Sequence, residues 1–198
     1  MRLRVVNKSM LSFAFVALSG IGTSGVFVDP LYAWTDGPPA YATNAPRDTT
    51  CNTNPGCHDF FLTNSGTAKL SIAAPAVYTP GQSLNIKVSL SNSSGKLHGF
   101  EMTAVDASGK KVGTFKKADT FTQVIPVRDY RGLKATDRGK YIEHTKAGRK
   151  QTNWRFKWKS PVGASNPITF YVSGVDADGN AGSDGDYVYT ALKGITAK

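Results

Sequence analysis

The sequence lacks the fingerprints of catalysis. It contains no Gly-x-Ser-x-Gly elbow, no His-Glu-x-x-His pair, no phosphate-binding loop and no dinucleotide fingerprint. Glutamate is limited to Glu101 and Glu143, whose spacing suggests no acid–base pair. An enzyme is therefore not expected. No ten-residue stretch beyond the N-terminus repeats with a helical period, and only one stretch is apolar for long, which excludes a polytopic membrane protein. A chain of 198 residues is also too short for a large multidomain enzyme. What it does have is material for one core: 40% hydrophobic residues against 19% charged ones, with 3 Trp, 8 Tyr and 10 Phe.

The one apolar run, Met10 to Val28, follows Met1, Arg2, Arg4 and Lys8, the charged-then-apolar order of a secretory signal. Ala33 closes a small-residue cleavage site, so residues 1–33 read as a signal peptide and the mature chain as starting near Trp34. Ile21-Gly22-Thr23-Ser24-Gly25 interrupts the run and keeps an uncleaved anchor as the rival reading, the one membrane attachment expected. Export to the periplasm or beyond is the expectation in either case. The formal charge is +10, and residues 110–159 hold 15 of the 24 Lys+Arg but 4 of the 14 Asp+Glu. In an exported protein that excess points to an anionic polymer, an acidic protein partner or an anionic envelope surface, and not to nucleic acid. Solvated strand faces are the plainer reading of the same charges.

Residues 34–66 are rich in Pro, Gly, Asn, Asp and Thr, with turn signals at Gly37-Pro38-Pro39 and Asn54-Pro55-Gly56, and read as an extended segment without periodicity. From Lys69 onward short apolar–polar alternations replace it. Leu84, Ile86, Val88 and Leu90 alternate with polar neighbours, as do Phe100, Met102 and Ala104, and Val112 to Phe115 follows a turn at Ser108-Gly109. The clearest strand is Trp154 to Lys159: Trp154, Phe156 and Trp158 share one face, Arg155, Lys157 and Lys159 the other. Ile168 to Val175 and Tyr187 to Leu192 complete the set. Seven to nine such strands predict an all-β, antiparallel β-sandwich over residues 67–198.

Taken in order, Tyr78-Thr79-Pro80-Gly81-Gln82, His98-Gly99-Phe100-Glu101, Tyr141-Ile142-Glu143-His144-Thr145, Trp154-Arg155-Phe156-Lys157-Trp158, Pro161 and Phe170-Tyr171 resemble a Reeler domain, the immunoglobulin-like sandwich named for the N-terminus of reelin. The likeness spans residues 36–192 and is closer to bacterial exported forms, in which a Gly-Pro-Pro segment and a Cys-x-x-Cys-His motif precede the sandwich and Gly-Asp-Tyr-(Val/Ile)-Tyr-Thr, here Gly185 to Thr190, ends it. The resemblance implies a non-catalytic, extracytoplasmic binding or matrix role, and fold alone does not decide function. Here five residues, not two, separate Cys51 from Cys57, with His58 next.

That trio is the sharpest chemical feature. A c-type haem needs two thiols for its vinyl groups and a histidine beside the second thiol as the proximal iron ligand, which Cys51, Cys57 and His58 supply if Asn54-Pro55-Gly56 bulges. A disulfide closing a short loop is the competing reading in an oxidising compartment. Spacing favours the disulfide; the adjacent histidine and the resemblance favour haem. His98, His144 and Met102 are the sixth-ligand candidates, although a strand histidine held by hydrogen bonds is the simpler reading of the first two. Asp176, Asp178, Asn180, Asp184 and Asp186 crowd one loop and offer oxygens for calcium, but the glycine falls too early for an EF-hand and no Glu closes it, so a self-capped hairpin loop is preferred. Zinc at Cys51, Cys57 and His58 lacks the usual second ligand pair.

The expectation is thus an exported Reeler-like protein with a haem-attachment segment at residues 34–66, working in electron transfer or an envelope redox complex. The alternative is a disulfide-stapled adhesion module whose cationic face, with Arg155, Lys157 and Lys159, binds an anionic polymer or acidic partner.

Overall fold

The structure, a computed structural model, describes residues 35–53, 57–180 and 182–198, save the side chain of Asp129. The expected signal peptide and the Asn54-Pro55-Gly56 turn lie outside the described residues. Among the described residues no helix is long and apolar enough to cross a membrane.

The strands are β1 (Lys69–Ala73), β2 (Val77–Tyr78), β3 (Ser83–Ser91), β4 (Leu97–Val105), β5 (Thr114–Lys117), β6 (Thr122–Val124), β7 (Tyr141–His144), β8 (Asn153–Lys159), β9 (Ile168–Ala177) and β10 (Tyr187–Ala197). They form a four-stranded sheet, β1-β3-β8-β5, and a six-stranded sheet, β2-β10-β9-β4-β7-β6. All pairings are antiparallel except the short parallel contact of β2 with β10. The all-β sandwich expected from the alternation is the fold observed.

The core lies where the apolar faces of the two sheets meet. Leu84, Ile86 and Val88 of β3 and Trp154, Phe156 and Trp158 of β8 come from one side; Phe100 and Met102 of β4 and Ile168, Phe170 and Val172 of β9 come from the other. Buried indoles need a partner for their single donor. Trp154 Nε1 donates to the carbonyl of Gly148 at 2.9 Å and Trp158 Nε1 to that of Val112 at 3.3 Å.

The segment before β1 is not a detached linker. It lies against the six-stranded sheet, burying Ala42, Thr43, Ala45 and Cys51. Its unpaired backbone amides find acceptors in the sheet, as buried donors must. Tyr41 and Ala42 N–H donate to the Glu101 carboxylate at 2.9 and 3.2 Å, Ala40 N–H to the Arg131 carbonyl at 2.9 Å, and Cys51 N–H to Ser173 Oγ at 3.3 Å. Asp48 anchors the same strap, accepting from Lys111 Nζ at 2.7 Å and from Tyr141 hydroxyl at 3.0 Å.

Candidate functional site

Glu101 on β4 and Glu143 on β7 face each other in register beneath the strap. Both are fully buried, and the Arg131 guanidinium bonds both oxygens of Glu143 while donating to the Pro38 carbonyl at 2.7 Å. Gln123 adds a bond to Glu143 at 2.8 Å. Gly37, at φ +110°, passes so close that a Cβ there would strike the Glu143 carboxyl. Burial pushes Glu101 well above the ordinary carboxylate range, and pushes Glu143 up to about 8 against the pull of Arg131. These groups hold the strap, and sequence reasoning missed them because only pairing register brings them together.

Beside this anchor the strap, the first residues of β4, the last of β9, the end of β7, and Gly179, Asn180, Gly182 and Asp186 line a pocket of about 280 Å³. Cys51, Cys57, His58, His98 and His144 all line it. These are both cysteines and all three histidines of the chain. Ala42, Leu97, Phe100 and Val175 supply apolar wall.

Cys51 and Cys57 are free thiols, the first buried and the second half-buried. Burial pushes the Cys51 thiol up to about 12 and also raises that of Cys57, the opposite of an environment that activates a nucleophile. His58 N–H donates to the Cys51 carbonyl at 3.1 Å, closing the loop between them. His58 Nδ1 lies 2.7 Å from Asp186 Oδ2, and Asp186 Oδ1 accepts the Asp178 N–H at 3.0 Å. A carboxylate on Nδ1 leaves Nε2 as the lone-pair nitrogen, the way ligating histidines are oriented by their outer partners.

His98 is 8% exposed, with Nε2 2.7 Å from Ser93 Oγ and 3.3 Å from Asp176 Oδ1. This is not a nucleophile triad, because Asp176 touches the nitrogen that Ser93 touches and takes the Ser93 hydroxyl proton itself, at 2.7 Å. His144 sits against Gly99, where a Cβ would come within 2.7 Å of its ring, so only glycine admits the imidazole. Burial lowers His98, partly offset by Asp176, and lowers His144 to about 4.

Met102 stands elsewhere: it is fully buried between the sheets and does not line the pocket. The loop carboxylates and Asn180 offered for calcium do not gather as a metal site either. Asp176 accepts from the backbone of Ser94 and Gly95, and Asp178 accepts both the N–H and the side-chain amide of Asn180, at 2.8 and 2.7 Å. Among the described residues no three His, Cys, Asp or Glu side chains gather as a metal-ion site. Asp176 and Asp186 instead serve histidines. Asp186 stands in the Gly-Asp-Tyr run already noted in the sequence, but nothing local marks it as the partner of a residue 128 positions away.

Arg155, Lys157 and Lys159 point away from the pocket, on the outer face of the four-stranded sheet. Register adds Lys87 opposite Arg155, Lys116 opposite Lys157, and Lys69 on β1. No ion pair neutralises these six cations among the described residues.

The chain is thus an all-β sandwich with a strapped, histidine-lined pocket on one sheet and a cationic face on the other. The Reeler domain model matches residues 50–179, about two thirds of the chain, and the chain belongs to that family. The match begins just ahead of Cys51, so the thiols and His58 fall inside the domain. No curated protein matches the sequence.

Proposed function

We propose that this Reeler domain is an exported, non-catalytic carrier of a single c-type haem, held in the strapped pocket and serving electron transfer in an envelope redox complex. One observation carries the reading: both thiols and every histidine of the chain, scattered from position 51 to 144, line one largely apolar pocket. The residues fit the group. Cys51 and Cys57 would form its thioethers, and His58, steered by Asp186, would be the proximal ligand. The haem supplies one-electron chemistry; the chain binds it, orients His58 and excludes water with Ala42, Phe100 and Val175.

The test is expression of the full chain with a c-type maturation system. The expected product is red and keeps its colour through acid–acetone extraction. Cys51→Ser or Cys57→Ser should lose one thioether and most covalent colour, and His58→Ala should abolish stable attachment. A colourless product two hydrogens lighter than its reduced form would instead establish the disulfide.

A second reading has its own observation. Lys87 opposite Arg155 and Lys116 opposite Lys157 are like-charge cross-strand pairs, which weaken a sheet unless something neutralises them. That supports binding of an anionic polymer or an acidic partner on this face, and the face leaves the pocket on the far sheet open. Replacing Arg155, Lys157 and Lys159 together by Gln should shift elution from an anionic matrix to markedly lower salt while leaving the unfolding midpoint in place. Unchanged retention would remove the face from the functional account.

A further inference from the structure

We propose that the outer face of the four-stranded sheet docks flat on a bilayer rich in anionic phospholipid, with one headgroup phosphate seated between Lys87 and Arg155. The proposal rests on the anion-binding reading of that face and not on the haem. What the face lacks defines its partner. Side chains at alternate positions of β1, β3, β5 and β8 point outward, and six of them are Lys69, Lys87, Lys116, Arg155, Lys157 and Lys159. The other outward positions hold only Ser, Thr, Asn and Ala, with no carboxylate, no aromatic ring and no large apolar side chain. Register builds the seat. Ala73, Lys87 and Arg155 stand side by side on β1, β3 and β8, and Ala118, the residue after β5, closes the row. Alanine on either side leaves an open depression of about 460 Å³ around the two cations, with Asn85 also on its wall. Asp119, just past Ala118, is occupied with the Phe121 amide at 2.8 Å. Lys87 and Arg155 therefore repel across the strand pair until an oxyanion bridges them.

The spread of the charges selects a surface over a thread. The six cations occupy all four strands, about 14 Å across, and Arg155 to Lys159 covers about 13 Å along β8. A linear polymer follows one line of such a grid, whereas a bilayer meets the whole of it. Sugar rings would find no aromatic platform here. An acidic protein would find no aromatic or apolar anchor of the kind that carries protein interfaces. Five of the six are lysines, point charges on flexible stems that suit diffuse headgroup charge. The one arginine sits in the depression, where its planar fork matches two phosphate oxygens at once.

The experiment uses the full chain as expressing cells process it, floated with phosphatidylcholine vesicles that contain either no phosphatidylglycerol or about one third of it. The difference between the two vesicles is the reading, since a retained apolar N-terminus contributes to both alike. The anionic vesicles should bind far more protein at low salt, and the excess should vanish as ionic strength rises. Lys69→Gln with Lys159→Gln removes two cations outside the seat and should weaken the excess binding about 25-fold, roughly fivefold per charge. Lys87→Gln with Arg155→Gln removes the same charge and should weaken it several times further. Neither pair should lower the thermal midpoint, because all four side chains face outward. Equal weakening by the two pairs overturns the seat, and equal binding to the two vesicles overturns the docking. Tighter binding to dextran sulfate or polyglutamate than to vesicles of equal charge also overturns it, and gives the face to a polymer or an acidic partner with the anion-binding reading intact. A protein that binds none of the three overturns that reading as well.

Discussion

Arg131→Ala is expected to destabilise the domain by about 3–5 kcal/mol in denaturant titration, because it strands the buried Glu143 carboxyl without its partner. The loss should be local before it is global. The Arg131 side chain also donates to the Pro38 carbonyl, so the strap just beyond it, with the amides of Ala40, Tyr41 and Ala42, should lose hydrogen-exchange protection first. Removing both charges, as Arg131→Leu with Glu143→Leu, should recover much of the deficit, since a well-packed apolar pair replaces a costly ionic one. A double variant no better than Arg131→Ala would show that the strap needs the ion pair itself. The pH dependence has a definite sign. Glu101 and Glu143 have folded pKa values above the ordinary 4.5, so the folded state binds more protons than the unfolded chain. Their contribution is full below about 4.5, and that of Glu143 is lost as pH rises through about 8. Glu101→Gln keeps an acceptor for Tyr41 and Ala42 and should flatten this slope.

Trp154→Ala should cost a comparable amount, about 3–5 kcal/mol, as a lost transfer energy plus a cavity that the sheets cannot close. Trp154 is fully buried, 4.8 Å ring to ring from Phe100, and its indole holds the Gly148 carbonyl. The thermal midpoint should fall by about 10 °C for a chain of this size. Arg155→Ala, one residue along the same strand, should leave it almost unmoved because that side chain faces solvent. Equal losses at the two positions would mean that β8 does not present its aromatic face to the core.

The strand from Trp154 to Lys159 was legible because side-chain direction alternates with a period of two, and burial follows directly. Met102, a sixth-ligand candidate in the sequence, is packed in the core with Phe100 and Ala104, and only the structure removes it from that set. The strap was not legible as packed structure. Its backbone is held by Glu101, Arg131 and Ser173, all distant in sequence, so nothing within residues 34–66 repeats. Its turns show only as left-handed residues: Tyr41, Asn44 and Arg47 take φ of 76°, 65° and 71°.

The candidate site divides along the same line. Cys51, Cys57 and His58 lie within eight residues, so the sequence alone determined that two thiols and an imidazole share one loop, and that export would decide their chemistry. It also determined the two sheet faces, apolar and cationic, because alternation is a local property. Only the tertiary structure decided that His98 and His144 join that loop, since β4 and β7 are neighbours by hydrogen-bond pairing across about forty residues of chain. It alone decided which group each imidazole meets, because Asp186, Asp176 and Ser93 reach their histidines through space, and a histidine is oriented by whichever group takes its outer nitrogen.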